Sequence, residues 1–409
     1  MPDDYRRNHY VPVWYQKLFI PNSNPSAELY YLDQKPDIIR IAGRPSFKAK
    51  DVKKGGPNHH LYEWDLYTRS PEGIALTNIE KEFFGEIDTA GSAAVKSFAN
   101  FAHNSGSGKH FQQFIQFLSI QKLRTPKGLA WLGQQTKGLS RDRILGVMVD
   151  YCRMFCAIMT ECVWQIAAAT NSPTKFIFSD HPVTIYNRAY GPNCDKCKGF
   201  NDPDIRQHGS HTVFPLSPEK ILILTNLSWV RNPYQNEKDL RPNPNPFRDA
   251  MFKMFDIQVG RALDESEVRQ INFIIKSRSL RYVAAGERDW LFPEQFVSKA
   301  DWARFGLGYL LMPEPRCVSR SNGILLGFKG GGATAFDEYG RRPWDPDYTH
   351  PDAETDWSTF DRFQGEFARL FGPKRRGRSY SLGQLDSEFD GVELHQAYLR
   401  QEIHNKRRR

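Results

Sequence analysis

The amino-acid sequence predicts an α+β fold, and three observations carry the prediction. The first 70 residues hold short β-prone runs divided by turn-forming residues. Between about 77 and 169, apolar residues recur at helical spacing. After Pro173 the apolar residues fall again into strand-length runs, followed by one amphipathic helix. A strand group, a helix group and a second strand group argue for α+β rather than a regular βαβ alternation.

In chain order, Leu29-Tyr30-Tyr31-Leu32 and Ile38-Ile39-Arg40-Ile41 flank a polar, Pro-containing link, which predicts a hairpin between them. Leu61 to Tyr67 alternates as a half-buried strand should. Thr77 stands three residues before Glu80, the spacing of a capping box, and Ile79, Phe83, Ile87, Ala90 and Ala94 continue the helix. A second helix carries Phe111, Phe114, Ile115, Leu118 and Leu123 and stops before Pro126, because the residue preceding proline is pushed out of the helical region. A third starts at Ser140 and runs to about Ala169, burying Leu145, Val149, Cys152, Cys156, Met159 and Val163.

Strands are expected at 175–178, 183–186, 213–216 and 220–225, packed on the helices. A closing helix from about Glu265 to Arg278 puts Val268, Ile271, Ile274 and Ile275 on one face. These elements form a core domain over residues 1–293. Residues 294–409 read as a partly irregular extension, with Gly330-Gly331-Gly332 as a flexible turn and short helices near 357–371 and 392–404.

An apolar fraction of 40% excludes a mostly disordered chain. The longest apolar stretch, Arg143 to Ala169, contains Arg143, Asp150, Arg153 and Glu161, which are costly in lipid. The first residues lack the apolar run of a cleaved signal. Six cysteines are too few for a disulfide scaffold and suit reduced thiols. The expected setting is therefore cytoplasmic, with no membrane partner. Net charge is +9, and from Glu314 onward 16 basic residues meet 15 acidic ones, so almost the whole excess lies in residues 1–313. The extension still gathers Lys374 to Arg378 and Lys406 to Arg409 into basic clusters, which suit phosphates or a solvated tail equally. Such a balance permits nucleic acid as a partner.

Asn8-His9-Tyr10-Val11-Pro12, with Trp14-Tyr15-Gln16-Lys17-Leu18-Phe19, resembles the opening signature of the family called domain of unknown function 4238. Ile79-Glu80, Ile87-Asp88, Leu123-Arg124-Thr125-Pro126, Phe178-Ser179-Asp180-His181-Pro182-Val183, Phe214-Pro215-Leu216-Ser217-Pro218 and Val268-Arg269-Gln270-Ile271-Asn272 follow in the family's order, over about residues 8–290. His181 stands where the family often has Asn, and Asp88 where a second Glu is frequent. The resemblance implies the fold and carries no activity.

Two constellations suggest chemistry. His9, Arg124, Asp180 and His181 together would supply a base or ligand for a divalent metal, a proton shuttle and a phosphate clamp. Asp180 and Arg124 would equally serve as a buried ion pair joining strand to helix. Cys194 and Cys197, followed by His208 and His211, offer two thiolates and two imidazoles for a structural zinc, against a reading as coincidental loop residues. Glu80 and Asp88 share a helix face, although such pairs are usually solvated or matched by Lys or Arg. His59-His60 reads as a surface pair or a ligand pair. Neither GxSxG nor HExxH occurs. The functional expectation is a nucleic-acid-acting phosphodiester hydrolase of a stress or defence system. The alternative is a non-catalytic module that binds nucleic acid or protein.

Overall fold

The computed structural model describes residues 7–21, 27–40, 45–67, 84–101, 108–137, 139–205, 207, 209–225, 257–306, 324–327 and 333–336. The chain opens with β1 (Arg7–His9), α1 (Val13–Lys17), β2 (Leu29–Asp33), β3 (Ile38–Ile39), β4 (Phe47–Lys48), β5 (Val52–Gly55) and β6 (Tyr62–Trp64). Four helices follow: α2 (Gly85–Ala99), α3 (Gly108–Arg124), α4 (Pro126–Gln135) and α5 (Arg141–Glu161). Then come β7 (Val163–Ala168), β8 (Phe178–Ser179), β9 (Thr184–Asn187), β10 (Ser210–Ser217), β11 (Lys220–Thr225) and β12 (Gln258–Ala262). The last elements are α6 (Glu265–Arg278), β13 (Tyr282–Ala285), β14 (Ile324–Gly327) and β15 (Ala333–Phe336). This is the α+β architecture that the residue pattern predicts.

The central sheet has strand order β12-β7-β11-β10-β9, and only its β12–β7 pair is parallel. A second, antiparallel sheet runs β5-β2-β13-β8. Helices α2, α3 and α5 cover one face of the central sheet through Phe98, Phe114, Leu118 and Met159, which meet Trp164, Ile166, Leu222 and Leu224. On the opposite face, Ile221 and Ile223 join Val268, Ile271, Ile274 and Ile275 of α6 and Leu32 and Val283 of the second sheet. Both faces of β11 are therefore dry, which is why Ile221 to Leu224 reads as an unbroken apolar run instead of an alternation. Removing such a side chain to alanine costs about 2–5 kcal/mol. Proline interrupts β10 without penalty, because pairing with β9 has ended at Val213 and the register to β11 shifts between Pro215 and Ser217. The Pro215 carbonyl accepts the buried Tyr15 hydroxyl at 2.7 Å, tying the N-terminal segment to the sheet.

Several elements differ from expectation. The runs at 29–32 and 38–41 are not partners. β2 is buried and sits between β13 and β5, whereas exposed Ile38 and Ile39 pair with Phe47 and Lys48. The strand expected over 61–67 shrinks to Tyr62–Trp64, because Leu61 and Asp65 take φ values of 57° and 54° and end the extended run on both sides. The third helix ends at Glu161, not near Ala169. Cys162 is extended, and β7 then sends Trp164 and Ile166 to the helical core and Ala167 to the opposite one. Pro126 ends α3 as predicted, yet it also starts α4, a helix the residue spacing does not predict.

Helix α6 matches the expected Glu265–Arg278 span, with Asp264 and Glu267 exchanging reciprocal capping-box bonds. Beyond residue 293, Trp302 and Phe305 still bury against α6, and β14 pairs with β15. The Thr77–Glu80 capping box, Gly330 to Gly332, the helices near 357–371 and 392–404 and both basic clusters of the extension lie outside the described residues.

Candidate functional site

A cavity of about 410 Å³ opens between α3, α4, α5 and the 200–205 loop. Its polar floor begins at the α3–α4 junction. Pro126 forces Thr125 out of the helical region and occupies the first position of α4, where its missing N–H costs nothing. Thr125 thus caps α4, its hydroxyl accepting the Gly128 N–H at 3.1 Å. The tight junction sets Lys122 and Lys127, one from each helix, on either side of Asp202. Lys122 Nζ ion-pairs with Asp202 Oδ2, and Lys127 Nζ lies 2.5 Å from Asp202 Oδ1 and 2.6 Å from the Arg278 carbonyl.

The turn after β8 brings in His181, which is 1% exposed. Lys122 Nζ donates to His181 Nε2 at 2.8 Å and to the Val183 carbonyl at 3.3 Å. With Asp202 these make three acceptors for the three ammonium hydrogens. That match leaves His181 Nε2 as an acceptor and places the ring proton on Nδ1, which faces Thr125 Oγ1 at 2.6 Å.

Burial and charge distort the titration of this group. Burial and the neighbouring Lys122 hold His181 down at about 3, against the pull of Asp202, whose Oδ2 lies 3.1 Å from Nε2. Burial also brings Lys122 down to about 8, with Asp202 opposing and Lys127 assisting. Burial disfavours the ionised Asp202 as well, but Lys122, Lys127 and His181 outweigh it and keep the carboxyl well below its usual range. The asymmetry follows from the count: one carboxylate is shared by two ammonium groups. The cavity walls are Trp131, Tyr151, Met154, Phe155, Ile185 and Phe200. An amine near neutrality beside a neutral imidazole, under an aromatic roof, can bind an apolar molecule and exchange a proton with it.

The structure separates the four residues expected to act together. Only His181 lines this cavity. Asp180, its neighbour, is committed to the backbone. Its Oδ1 accepts the Leu280 N–H at 2.9 Å, and its Oδ2 accepts those of Arg281 and Tyr282 at 2.7 and 2.8 Å. Burial pushes this carboxyl up while the three amides pull it down. Asp180 therefore clamps the α6–β13 turn through three main-chain amides. Arg124 points the other way on α3. It pairs with Asp88 at 2.8 Å and with Gln121 Oε1 at 2.7 Å, and its guanidinium lies 5.6 Å from the Phe84 ring centre. Arg124 does sit in an ion pair, but with Asp88 of α2 and not with Asp180 as the alternative reading had it. His9 sits in the β1–β6 ribbon, with Nε2 3.3 Å from the Asn58 carbonyl and its ring against Tyr62. Burial lowers its titration point.

Of the zinc candidates, Cys194 and Cys197 share a single 3₁₀ turn closed by a 2.9 Å backbone bond, and burial raises the Cys197 thiol. His211 is buried in β10 with Nδ1 2.8 Å from the Gly209 carbonyl. His208 lies outside the described residues. Among the described residues no three His, Cys, Asp or Glu side chains are grouped to hold a metal. His60 stacks on Tyr31 with ring centres 3.8 Å apart.

Lys122, Thr125, Lys127 and Asp202 are the residues that sequence reasoning missed. A faint signal was present: both lysines flank the Arg124-Thr125-Pro126 junction, close to the apolar residues that bury the two helices.

Residues 139–289 match the family described as a protein of unknown function, DUF4238. The resemblance thus holds from α5 to β13, including the Asp180-His181 turn and Asp202. The match does not extend to the N-terminal signature or to α3 and α4, which supply the lysines. No curated protein and no solved structure matches the chain. Among the described residues, no helix is long and apolar enough to cross a membrane.

Proposed function

We propose that the protein binds a small, largely apolar organic molecule in the α3–α4–α5 cavity and acts on it with Lys122 and His181 as a proton-transfer pair. One observation carries this reading: a buried lysine brought down to about 8 and a buried neutral imidazole, 2.8 Å apart, in the wall of a cavity of about 410 Å³. A cavity of this size suits a single small molecule. Enzymes place acid–base groups in such dry clefts so that proton exchange is possible near neutral pH.

The net charge of +9 favours a second reading, in which the molecule is one nucleotide of an anionic strand. A phosphodiester hydrolase built on His9, Arg124 and Asp180 is not supported, because those side chains are spent on separate structural bonds.

Soaking crystals of the protein with apolar and aromatic fragments tests the proposal. Density in the Trp131–Phe155–Phe200 cavity, reaching Lys122, is expected. Fragments found only elsewhere on the molecule overturn it. A parallel salt titration with single-stranded oligonucleotides decides the second reading, since phosphate binding must weaken steeply as salt rises.

A further inference from the structure

Resting on the cavity reading above, we infer that Lys122 is a nucleophilic amine that captures an aldehyde or ketone of the bound molecule as an imine. The geometry has every part this chemistry needs. Lys122 lines the cavity, and its Nζ is 2.8 Å from a proton acceptor, His181 Nε2. Asp202 stands beside the same nitrogen, ready to pair with a cationic imine. Lys127, also in the wall, competes for that carboxylate and makes it cheaper for Lys122 to surrender a proton. The groups that face Lys122 are thus Asp202, His181 and Lys127, with the Arg278 guanidinium adding positive charge behind them. The aromatic walls suit an aryl or alkyl carbonyl and limit the water that would hydrolyse the product.

The steps balance around His181. Its Nε2 takes one proton from the Lys122 ammonium, freeing the nitrogen lone pair. That pair forms the N–C bond while the carbonyl π electrons move to oxygen, and His181 returns the proton to the alkoxide. The imidazole then takes a second proton from nitrogen and delivers it to the hydroxyl, which departs as water as the C=N bond forms. The ammonium and carbonyl have become a protonated imine and one water, and His181 ends as it began. Titration near 8 leaves a large share of Lys122 as free amine in mildly alkaline buffer.

Benzaldehyde and sodium cyanoborohydride test this on the full chain, with peptide mapping by mass spectrometry. At pH 8 about half of Lys122 is free amine, against about 0.4% of an ordinary lysine, so benzylation of Lys122 is expected roughly 100-fold ahead of the surface lysines. Its rate should rise through a midpoint near pH 8. Benzylation spread over surface lysines with none at Lys122 overturns the inference. Soaking with benzyl alcohol, which has no carbonyl, separates the two readings. Benzyl alcohol in the cavity without Lys122 benzylation sinks the imine alone, while an empty cavity sinks the pocket reading with it.

Discussion

Replacing Asp180 by alanine should unfold the protein more readily without touching the chemistry of the cavity. The side chain is 3% exposed and holds three main-chain donors: Leu280 on one oxygen, Arg281 and Tyr282 on the other. Each bond to an ionised acceptor is worth about 1.5–3 kcal/mol, and each buried N–H left bare costs about 1–3 kcal/mol. The three are neighbours and do not add fully, so a loss of about 4–6 kcal/mol is expected for Asp180→Ala. Asp180→Asn keeps one carbonyl oxygen and turns an amide NH2 toward the remaining donors, so it should lose about half as much. Since whole domains are stable by only about 5–15 kcal/mol, the alanine variant should show a much lower urea midpoint. Fragment occupancy of the cavity below that midpoint should match the wild type. An Asp180→Ala protein with unchanged urea midpoint but a lost reaction would refute the reasoning and restore Asp180 as a chemical group.

Two further outcomes follow from the same geometry. A Cβ on Gly128 would stand 2.5 Å from the Leu123 carbonyl oxygen and press on that of Lys122 as well. Gly128→Ala should therefore prise α4 from α3, lower the melting temperature and weaken fragment binding together; a variant that melts and binds like the wild type would contradict this. Acid should destabilise the fold from near pH 6.5 downward. His181 is held at about 3 when folded, so the unfolded chain binds the extra proton between those values, and stability present above 6.5 is lost toward 3. At about 1.4 kcal/mol per unit the loss amounts to several kcal/mol. His181→Gln should flatten the slope of urea-measured stability between pH 6.5 and 4, and an unchanged slope would count against a buried neutral imidazole.

Much of the fold could be read from residue spacing where one face of an element is wet. Helix α6 buries Val268, Ile271, Ile274 and Ile275 and leaves Glu265, Arg269 and Lys276 partly open to solvent, and its limits match the residue pattern. β7 was misread because both of its faces are buried, so Val163 to Ala168 carries neither a period of two nor one of 3.6 strong enough to tell strand from helix. α4 was hidden by a single proline, which ends one helix and begins the next. The site was less legible for a different reason. His181 was found because an Asp-His-Pro turn after a strand attracts notice, but its partners come from a helix junction 59 residues earlier and a loop 21 residues later. Nothing in local spacing says that Lys122 and Lys127 will close on one carboxylate. Nor does it say that Arg124, two residues from Lys122, will turn instead to Asp88.

The claim at the centre is that Lys122 and His181 form a buried pair in which the amine is brought down toward neutrality and the imidazole is held neutral. Nitrogen-15 NMR of the protein labelled at lysine Nζ and histidine ring nitrogens measures it directly. The account predicts a lysine resonance titrating near pH 8, absent in Lys122→Met, and a His181 ring with hydrogen on Nδ1 and a bare Nε2 at neutral pH. A Lys122 signal that stays protonated beyond pH 10, or a His181 ring carrying both hydrogens at pH 7, would contradict it.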